Sequence, residues 1–215
     1  MGFLEIAETV PDNDSSITLG SYPMKIKLTE KQLKRFYRLL SVRMTDFDCG
    51  STCSPHNKGV PYCCDREQVT PVLFRDEYRW HREQGVFWKK MPVKTKKEKK
   101  LVEETCSYNV FSLCPGVHNC RRTLRSLSCR LFPFEPFLDE TGSVIGLVYQ
   151  DGENERCPLI GKPRRIYNQT YISNAIRVWQ ELVDTFPEEK DMYLRASRKR
   201  KRVAVSTGKP LTIFK

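Results

Sequence analysis

The sequence has no long apolar run and no segment of the kind that directs a chain to secretion. Nowhere do about 18 apolar residues follow one another, as a membrane-spanning helix requires. Met1 to Glu30 contains no basic stretch followed by an apolar one, so no signal peptide is predicted. We therefore expect a cytoplasmic protein that does not contact a membrane and whose cysteine thiols stay reduced.

The sequence also lacks the short motifs of several enzyme classes. It contains no G-x-x-x-x-G-K-[ST], no G-x-G-x-x-G, no H-E-x-x-H and no G-x-S-x-G. The P-loop, dinucleotide-binding, zinc-protease and hydrolase classes therefore lack the residues on which their chemistry depends. A C-x-x-C motif, which thiol-exchange proteins place at a helix start, is absent as well. These patterns leave open whether the chain is an enzyme.

Acidic residues are outnumbered by basic ones, 26 to 37, so the 215-residue chain has a formal net charge of +11. Two basic runs, at 94–100 and 195–202, carry most of this excess, and the rest of the chain is nearly neutral. Such runs are either solvated surface segments or contacts for nucleic acid or another polyanion. The candidate contact residues are Lys96, Lys97, Lys99, Lys100, Arg198, Lys199, Arg200, Lys201 and Arg202.

Helix and strand signals alternate along the chain. A capping-box start at Thr29, followed by apolar residues at a spacing of three or four, predicts a helix that ends near Val42. A short edge strand at 68–74 is expected to lead into a helix at 75–84. A third, amphipathic helix is predicted at 171–186.

The organisation that follows is an α+β fold: a mainly helical small domain with short strands, one hairpin and irregular cysteine-rich metal-binding loops. The hairpin is expected from strands Phe134–Leu138 and Val144–Tyr149 around a glycine-containing turn. The predicted parts are an N-terminal extension at 1–27, a cysteine-cluster domain at 28–190 with a basic surface loop at 94–100, and a basic C-terminal tail at 191–215.

Four of the nine cysteines fall within one short segment: Cys49, Cys53, Cys63 and Cys64. Glycines and prolines interrupt the segment, so the chain is expected to fold back and point several thiols at one centre. Sulfur-only ligation selects zinc or an iron–sulfur cluster over calcium or magnesium. The pattern predicts a metal but does not separate these two, and the adjacent Cys63 and Cys64 could also serve two centres.

Five further cysteines follow at wider spacing: Cys106, Cys114, Cys120, Cys129 and Cys157. We interpret Cys106 as a small buried apolar residue, the usual state of a free cysteine. His56 lies inside the first cysteine segment and is a possible ligand, but we favour a place at the surface or beside the ligands.

The cysteine spacing resembles that of a known family. The elements Cys49-x3-Cys53-x9-Cys63-Cys64, Cys120-x8-Cys129-Arg-Leu-Phe-Pro and Cys157-Pro are similar to the CxxCxxCC family of zinc- or iron-chelating proteins. The resemblance covers about half of the chain. The first interval is three residues where the family has two, and Ser126 stands where the family has proline.

The resemblance implies that eight cysteines bind the metal and that Cys106 is left over. The implied ligands are Cys49, Cys53, Cys63, Cys64, Cys114, Cys120, Cys129 and Cys157. Arg125 occupies the arginine position of the family, and Arg130 follows Cys129. Both are expected to balance the thiolate charge or to bind an anion, or else to form salt bridges with the rest of the domain. The flagellin lysine methylase, a relative within this family, uses S-adenosylmethionine, so the resemblance implies such an activity by analogy.

Two functions follow as hypotheses. The favoured one is a metal-binding protein that holds an iron–sulfur cluster of the 4Fe–4S kind, or zinc, through eight cysteines, with possible S-adenosylmethionine-dependent or other iron–sulfur activity. The alternative is a zinc-stabilised nucleic-acid-binding or assembly module that acts through the basic loop and tail. Zinc-finger spacing is absent, and aromatic residues are not interleaved with the basic runs, which favours the first hypothesis.

Overall fold

The computed structural model describes residues 27–67, 69–85, 88–103, 105–151 and 157–215. The predicted N-terminal extension lies outside this part of the chain, apart from its last residue, and so does the side chain of Lys97. The described residues confirm an α+β fold that is mainly helical, with short strands in two small sheets.

Helices and short strands follow one another along the chain, and the strands form two small sheets. The α-helices are α1 (Glu30–Leu39), α2 (Cys49–Cys53), α3 (Arg75–Glu83), α4 (Lys96–Glu103), α5 (Leu127–Leu131), α6 (Gln169–Thr185) and α7 (Pro187–Thr207). The strands are β1 (Val72–Phe74), β2 (Lys89–Lys90), β3 (Asn109–Leu113), β4 (Phe134–Leu138) and β5 (Val144–Tyr149). Single 3-10 turns lie at Ser54–His56, Tyr62–Cys64, Val117–Asn119, Arg122–Leu124 and Arg164–Ile166.

The first sheet has the order β1-β3-β2 with antiparallel pairs, and the second is the β4-β5 hairpin. The predicted hairpin is confirmed with the same strand bounds. Its tight turn forms because Asp139 accepts hydrogen bonds from the backbone of Thr141 and Ser143, while Gly142 adopts a φ of 80°.

The core is centred on α6, which packs against α1, α7 and β5. Its inward face repeats at helical spacing, and residues from Ile172 to Val183 on that face are almost fully buried. The first helix confirms its predicted start, because Gln32 donates its backbone N–H to the Thr29 hydroxyl and accepts the Thr29 N–H in return.

Both basic runs differ from their predicted form. Residues 96–100 belong to α4 and not to a loop, because Thr95 and Glu98 form a reciprocal cap at the start of that helix. The C-terminal run belongs to α7, which crosses the boundary predicted at residue 190. After α7, Phe214 pairs with Leu147 through two backbone hydrogen bonds of 2.8 Å, so residues 191–215 form part of the domain and not a free tail.

Within α7, neighbouring arginines have different environments. Arg200 is buried and forms ion pairs with Glu135 on β4 and, at 3.0 Å, with Asp151. Arg198 is exposed and pairs at 2.9 Å with Glu140, which is exposed too. The sequence alone does not distinguish these two arginines, because both belong to the same basic run.

This difference predicts unequal effects of the same substitution. Arg200→Met should lower the free energy of unfolding by about 2 kcal/mol, because it leaves the Glu135 carboxylate buried without its partner. Arg198→Met should change it by less than about 1 kcal/mol, since exposed ion pairs contribute little. Urea unfolding of both variants measures this, and equal effects would contradict the assignment of Arg200 to the core.

Candidate metal centre

The first two predicted ligands lie one turn apart on α2. Cys49 and Cys53 are separated by four residues and therefore share a helix face. Asp48 caps this helix by accepting the Gly50 N–H at 3.1 Å. A Cβ added at Gly50 would lie 3.1 Å from the Pro61 ring, so glycine allows the segment that carries the next cysteines to pack closely here.

Cys63 and Cys64 lie together on the 3-10 turn that follows Pro61, with their sulfur atoms 4.0 Å apart. On such a turn, neighbouring side chains can point to a shared region, whereas on a strand they would face opposite sides. The hydrogen bond from the Cys63 thiol lowers the pKa of Cys64 to about 6, and the charges of Arg125 and Arg122 act in the same direction. The same hydrogen bond and burial raise the pKa of Cys63. Within the pair, these effects favour the thiolate form at Cys64 over Cys63.

Three further cysteines join this pair around one cavity of about 290 Å³. Cys114 follows β3, Cys120 follows a 3-10 turn, and Cys129 lies on α5. All three line the cavity, as do Cys63 and Cys64. Burial raises the pKa of Cys129 to about 11, and Cys114 and Cys64 lie close enough to add to that shift. Five thiols from four separate segments thus reach one cavity.

Cys157, the last of the predicted ligands along the chain, lies close to α2. Burial raises the pKa of Cys157 to about 11, and the charges of Cys49 and Cys53 contribute to the increase. The Cys157 segment is fixed by Tyr167, whose hydroxyl donates to the Leu159 carbonyl at 2.6 Å. The charge of Cys49 also raises the pKa of Cys63. This effect links Cys49, Cys53 and Cys157 to the five cysteines that line the cavity.

Arg125 is a cation of the cysteine cluster, a name used here for the eight predicted ligands. Its guanidinium hydrogen-bonds Cys120, and burial opposes its charge. The hydrogen bond and the charges of Cys64, Cys120 and Cys63 outweigh burial, so the pKa of Arg125 is raised. Arg125 therefore stabilises thiolate at several cysteines at once.

Arg130 has a different role from the one expected. Its guanidinium donates to the carbonyls of Arg125, Leu40, Arg122 and Thr123. It also lies over the Tyr37 ring, 4.5 Å from the centroid. These contacts join α1 to the loop that carries Arg125, so Arg130 positions that loop.

The two other candidates, Cys106 and His56, are not among the residues that line the cavity. Cys106 is adjacent to Glu189, and burial together with this carboxylate raises the pKa of the Cys106 thiol to about 12. His56 is exposed on its 3-10 turn, where its backbone carbonyl accepts a hydrogen bond from Tyr62. Cys106 itself is not among the residues that line the cavity, although its partner Glu189 is.

In the ranges that the structure describes, no three histidine, cysteine, aspartate or glutamate side chains are grouped closely enough to hold a metal ion. The donor set itself fits zinc or an iron–sulfur cluster in kind, because the cavity wall presents five thiols. Its charged residues are Arg66, Arg125 and Glu189.

Three buried polar side chains, Glu77, Tyr37 and His81, lie next to the start of α5, and the sequence analysis did not predict them. Glu77 is fully buried and accepts hydrogen bonds from the Tyr37 hydroxyl and the Leu127 N–H, both at 2.7 Å. The Tyr37 hydroxyl also lies 2.6 Å from Nε2 of His81. Burial raises the pKa of Glu77 to about 7 and, with Arg130, lowers the pKa of His81 to about 4. The group orients the start of the helix that carries Cys129.

The raised pKa of Glu77 predicts how stability depends on pH. A carboxyl whose folded-state pKa is raised favours the folded state at low pH, and this contribution is lost as the pH rises through about 7. We therefore subtract the unfolding free energy of Glu77→Gln from that of the wild type. This difference should fall by about 3 kcal/mol between pH 4.5 and pH 8. Denaturant unfolding at several pH values measures this difference, in which titrating groups that do not contact Glu77 cancel. A difference that is constant with pH would contradict the assignment.

Comparison of the chain with protein-family models, curated proteins and solved structures finds no match. The resemblance in cysteine spacing therefore stays a prediction. In the part of the chain that the structure describes, no helix has both the length and the apolar character needed to cross a membrane.

Proposed function

We propose that the protein is a metal-binding protein whose eight clustered cysteines hold an iron–sulfur cluster, with zinc as the other metal that this donor set accepts. The observation that supports the proposal is the convergence of the predicted ligands: five line one cavity, and the other three, Cys49, Cys53 and Cys157, lie close enough for their charges to interact. The ninth cysteine does not line the cavity. Binding would draw the sulfur atoms closer together than they are in the structure.

The chemistry of the cluster supports metal binding over a role as buried apolar residues. Thiolates that converge repel one another, so a concentration of cysteines needs compensating positive charge. Arg125 supplies part of this charge through its contacts with Cys120 and Cys64. A metal would supply the rest, displace the protons of the thiols whose pKa is raised, and tie several short segments to one centre. The proposal requires a reducing compartment, as the cytoplasm provides.

Anaerobic purification followed by elemental analysis tests the proposal. We expect iron and inorganic sulfide in matching amounts together with a broad absorption band in the visible range, which identifies an iron–sulfur cluster. Colourless protein with stoichiometric zinc would assign the same cysteines to zinc. Protein that contains neither metal, after purification and after reconstitution with each, would refute the proposal. The S-adenosylmethionine chemistry implied by the resemblance stays a prediction that follows only from the first result.

The alternative, nucleic-acid binding through the basic runs, has less support from the described contacts. Arg198 and Lys201 both pair with Glu140, and Arg200 is buried. Replacing the exposed Arg198 and Lys199 with glutamine tests this role without disturbing Arg200. We expect unchanged metal content and no loss of binding to a DNA oligonucleotide at physiological salt, measured by fluorescence anisotropy. A large salt-sensitive loss of DNA binding would favour the alternative.

A further inference from the structure

A second cavity, of about 620 Å³, shares Cys114 and Cys120 with the cavity of the cysteine cluster. Its volume lies within the range of about 300–1,000 Å³ that is typical of small-molecule sites. Its wall is formed by the segment after Cys64, by β2 and by residues 113–121. The charged and hydrogen-bonding side chains of this wall, apart from the cysteines, are Arg66, Lys89, His118, Asn119 and Arg121. We call this second cavity the basic cleft.

The fixed charges in the wall of the basic cleft are all positive. Arg66, Lys89 and Arg121 line it, and no aspartate or glutamate of the described ranges does. None of these three cations forms an ion pair with a carboxylate in the part of the chain that the structure describes. All three are exposed, as are His118 and Asn119, so a molecule in solvent can reach them.

The fold holds these cations around one space although they are far apart in the sequence. Lys89 belongs to β2, where it pairs with Leu113 at the end of β3. Arg66 packs against Gly116, since a Cβ added there would lie 3.6 Å from the Cδ atom of Arg66. Gly116 also has a φ of 91°, which favours glycine. The basic cleft is thus distinct from the basic runs at 94–100 and 195–202, because no residue of those runs lines it.

The chemistry of this wall selects an oxyanion with several charges. Guanidinium and ammonium groups donate hydrogen bonds and accept none, and a guanidinium binds two oxygens of one phosphate at once. Cations of one sign that line a concave surface attract a multiply charged anion more strongly than a singly charged one. A chain of linked phosphates supplies several charges and many acceptor oxygens, and the cleft has the volume of a site for a small molecule.

We propose that the basic cleft binds an oligophosphate group beside the cysteine cluster. Arg66 and Arg121 donate hydrogen bonds to phosphate oxygens, and Lys89 contributes a third positive charge. The inference goes beyond metal binding, because it assigns an anionic ligand to a surface next to Cys114 and Cys120. It does not depend on which metal the cysteines hold.

Isothermal titration calorimetry of the anaerobically purified chain with sodium triphosphate, at constant ionic strength, tests the proposal. We expect saturable binding at one site, at least about tenfold tighter than the binding of sulfate. Lys89→Glu should weaken triphosphate binding at least about tenfold, because it replaces a cation of the cleft with an anion. Lys90→Glu is the matched control, since Lys90 is the next residue of β2, is also exposed and does not line the cleft. It should weaken binding less than about threefold.

A second pair of variants tests the same cleft if Lys89→Glu does not fold. Arg66→Gln/Arg121→Gln removes both guanidinium groups and should weaken triphosphate binding at least about tenfold. Arg38→Gln/Arg165→Gln removes the same net charge from exposed arginines that do not line the cleft. This control should bind triphosphate within about threefold of the wild type.

The source of the phosphates is separated by a titration with adenosine triphosphate. Tighter binding than that of inorganic triphosphate would support the proposal with a nucleotide as the ligand, and equal binding would support it with the free oligophosphate. A DNA oligonucleotide that binds when triphosphate does not would assign the cleft to nucleic acid and overturn the proposal.

Four other results would overturn the proposal: no saturable binding of triphosphate, equal affinity for sulfate, equal losses in a variant and its control, or heat that arises from removal of metal. Metal analysis before and after the titration measures the last of these. It also separates the two proposals. Metal-loaded protein that binds no triphosphate refutes only this one, and protein that binds triphosphate but holds no metal after reconstitution refutes only the metal centre.

Discussion

Replacing Cys63 and Cys64 together with serine is expected to remove the bound metal and to destabilise the protein by several kcal/mol. The two sulfur atoms lie 4.0 Å apart at the point where the other cysteines converge, and Arg125 acts on both. Structural zinc contributes on the order of 10 kcal/mol to small domains, so losing two ligands of one centre should have a large effect. Elemental analysis and thermal unfolding of the double variant measure both quantities.

The ninth cysteine supplies the matched control for this experiment. Cys106→Ser removes a thiol that lies beside Glu189 and outside the cysteine cluster. We expect this variant to keep the metal content of the wild type and nearly all of its stability. A folded Cys63→Ser/Cys64→Ser protein with full metal content would contradict the account, and so would loss of metal in Cys106→Ser alone.

Arg130→Met is expected to lower the free energy of unfolding by about 4 kcal/mol, since it leaves several backbone carbonyls without their charged donor. One of these carbonyls belongs to Leu40, and the others belong to the loop that carries Arg125. Methionine keeps most of the volume and removes the charge. Because the loop also carries contacts to the cysteine cluster, we expect a lower metal affinity in the same variant.

The control for Arg130→Met is Arg38→Met on α1. Arg38 is exposed near the same end of that helix, so its loss should change stability by less than about 0.5 kcal/mol. Urea unfolding and competition with a metal chelator measure the two effects. Equal stability of both variants would show that Arg130 does not hold the loop, and an anion-binding role would then be the better explanation.

The elements with strong local signals were predictable from the sequence. The hairpin was predicted with its observed bounds, because two short, mainly apolar strands and a turn with Gly142 are encoded within sixteen residues. The helix α6 was predicted within two residues at each end, because its apolar face repeats over four turns. The helix α7 was missed as a packed element, because its buried face consists of residues such as Ser197 and Arg200 within a highly charged stretch.

The candidate site was predictable only in part. Cys106 differs from the small buried apolar residue that the sequence suggested, because it is only partly buried and hydrogen-bonds Glu189. The role of Arg130 was not predictable, because one of its partners, the Leu40 carbonyl, lies 90 residues away and backbone groups leave no sequence signal. The cavity beside Trp88 and Trp179 depends on packing between distant segments, and no local pattern reveals it.

X-ray absorption at the iron and zinc edges of anaerobically purified protein tests the central claim most directly, because it identifies the atoms bound to the metal. The account predicts a first shell of sulfur at about 2.3 Å from the metal, and for an iron–sulfur cluster a second shell of iron. A first shell of nitrogen and oxygen, or protein without stoichiometric metal, would contradict the claim that the eight clustered cysteines form a metal centre.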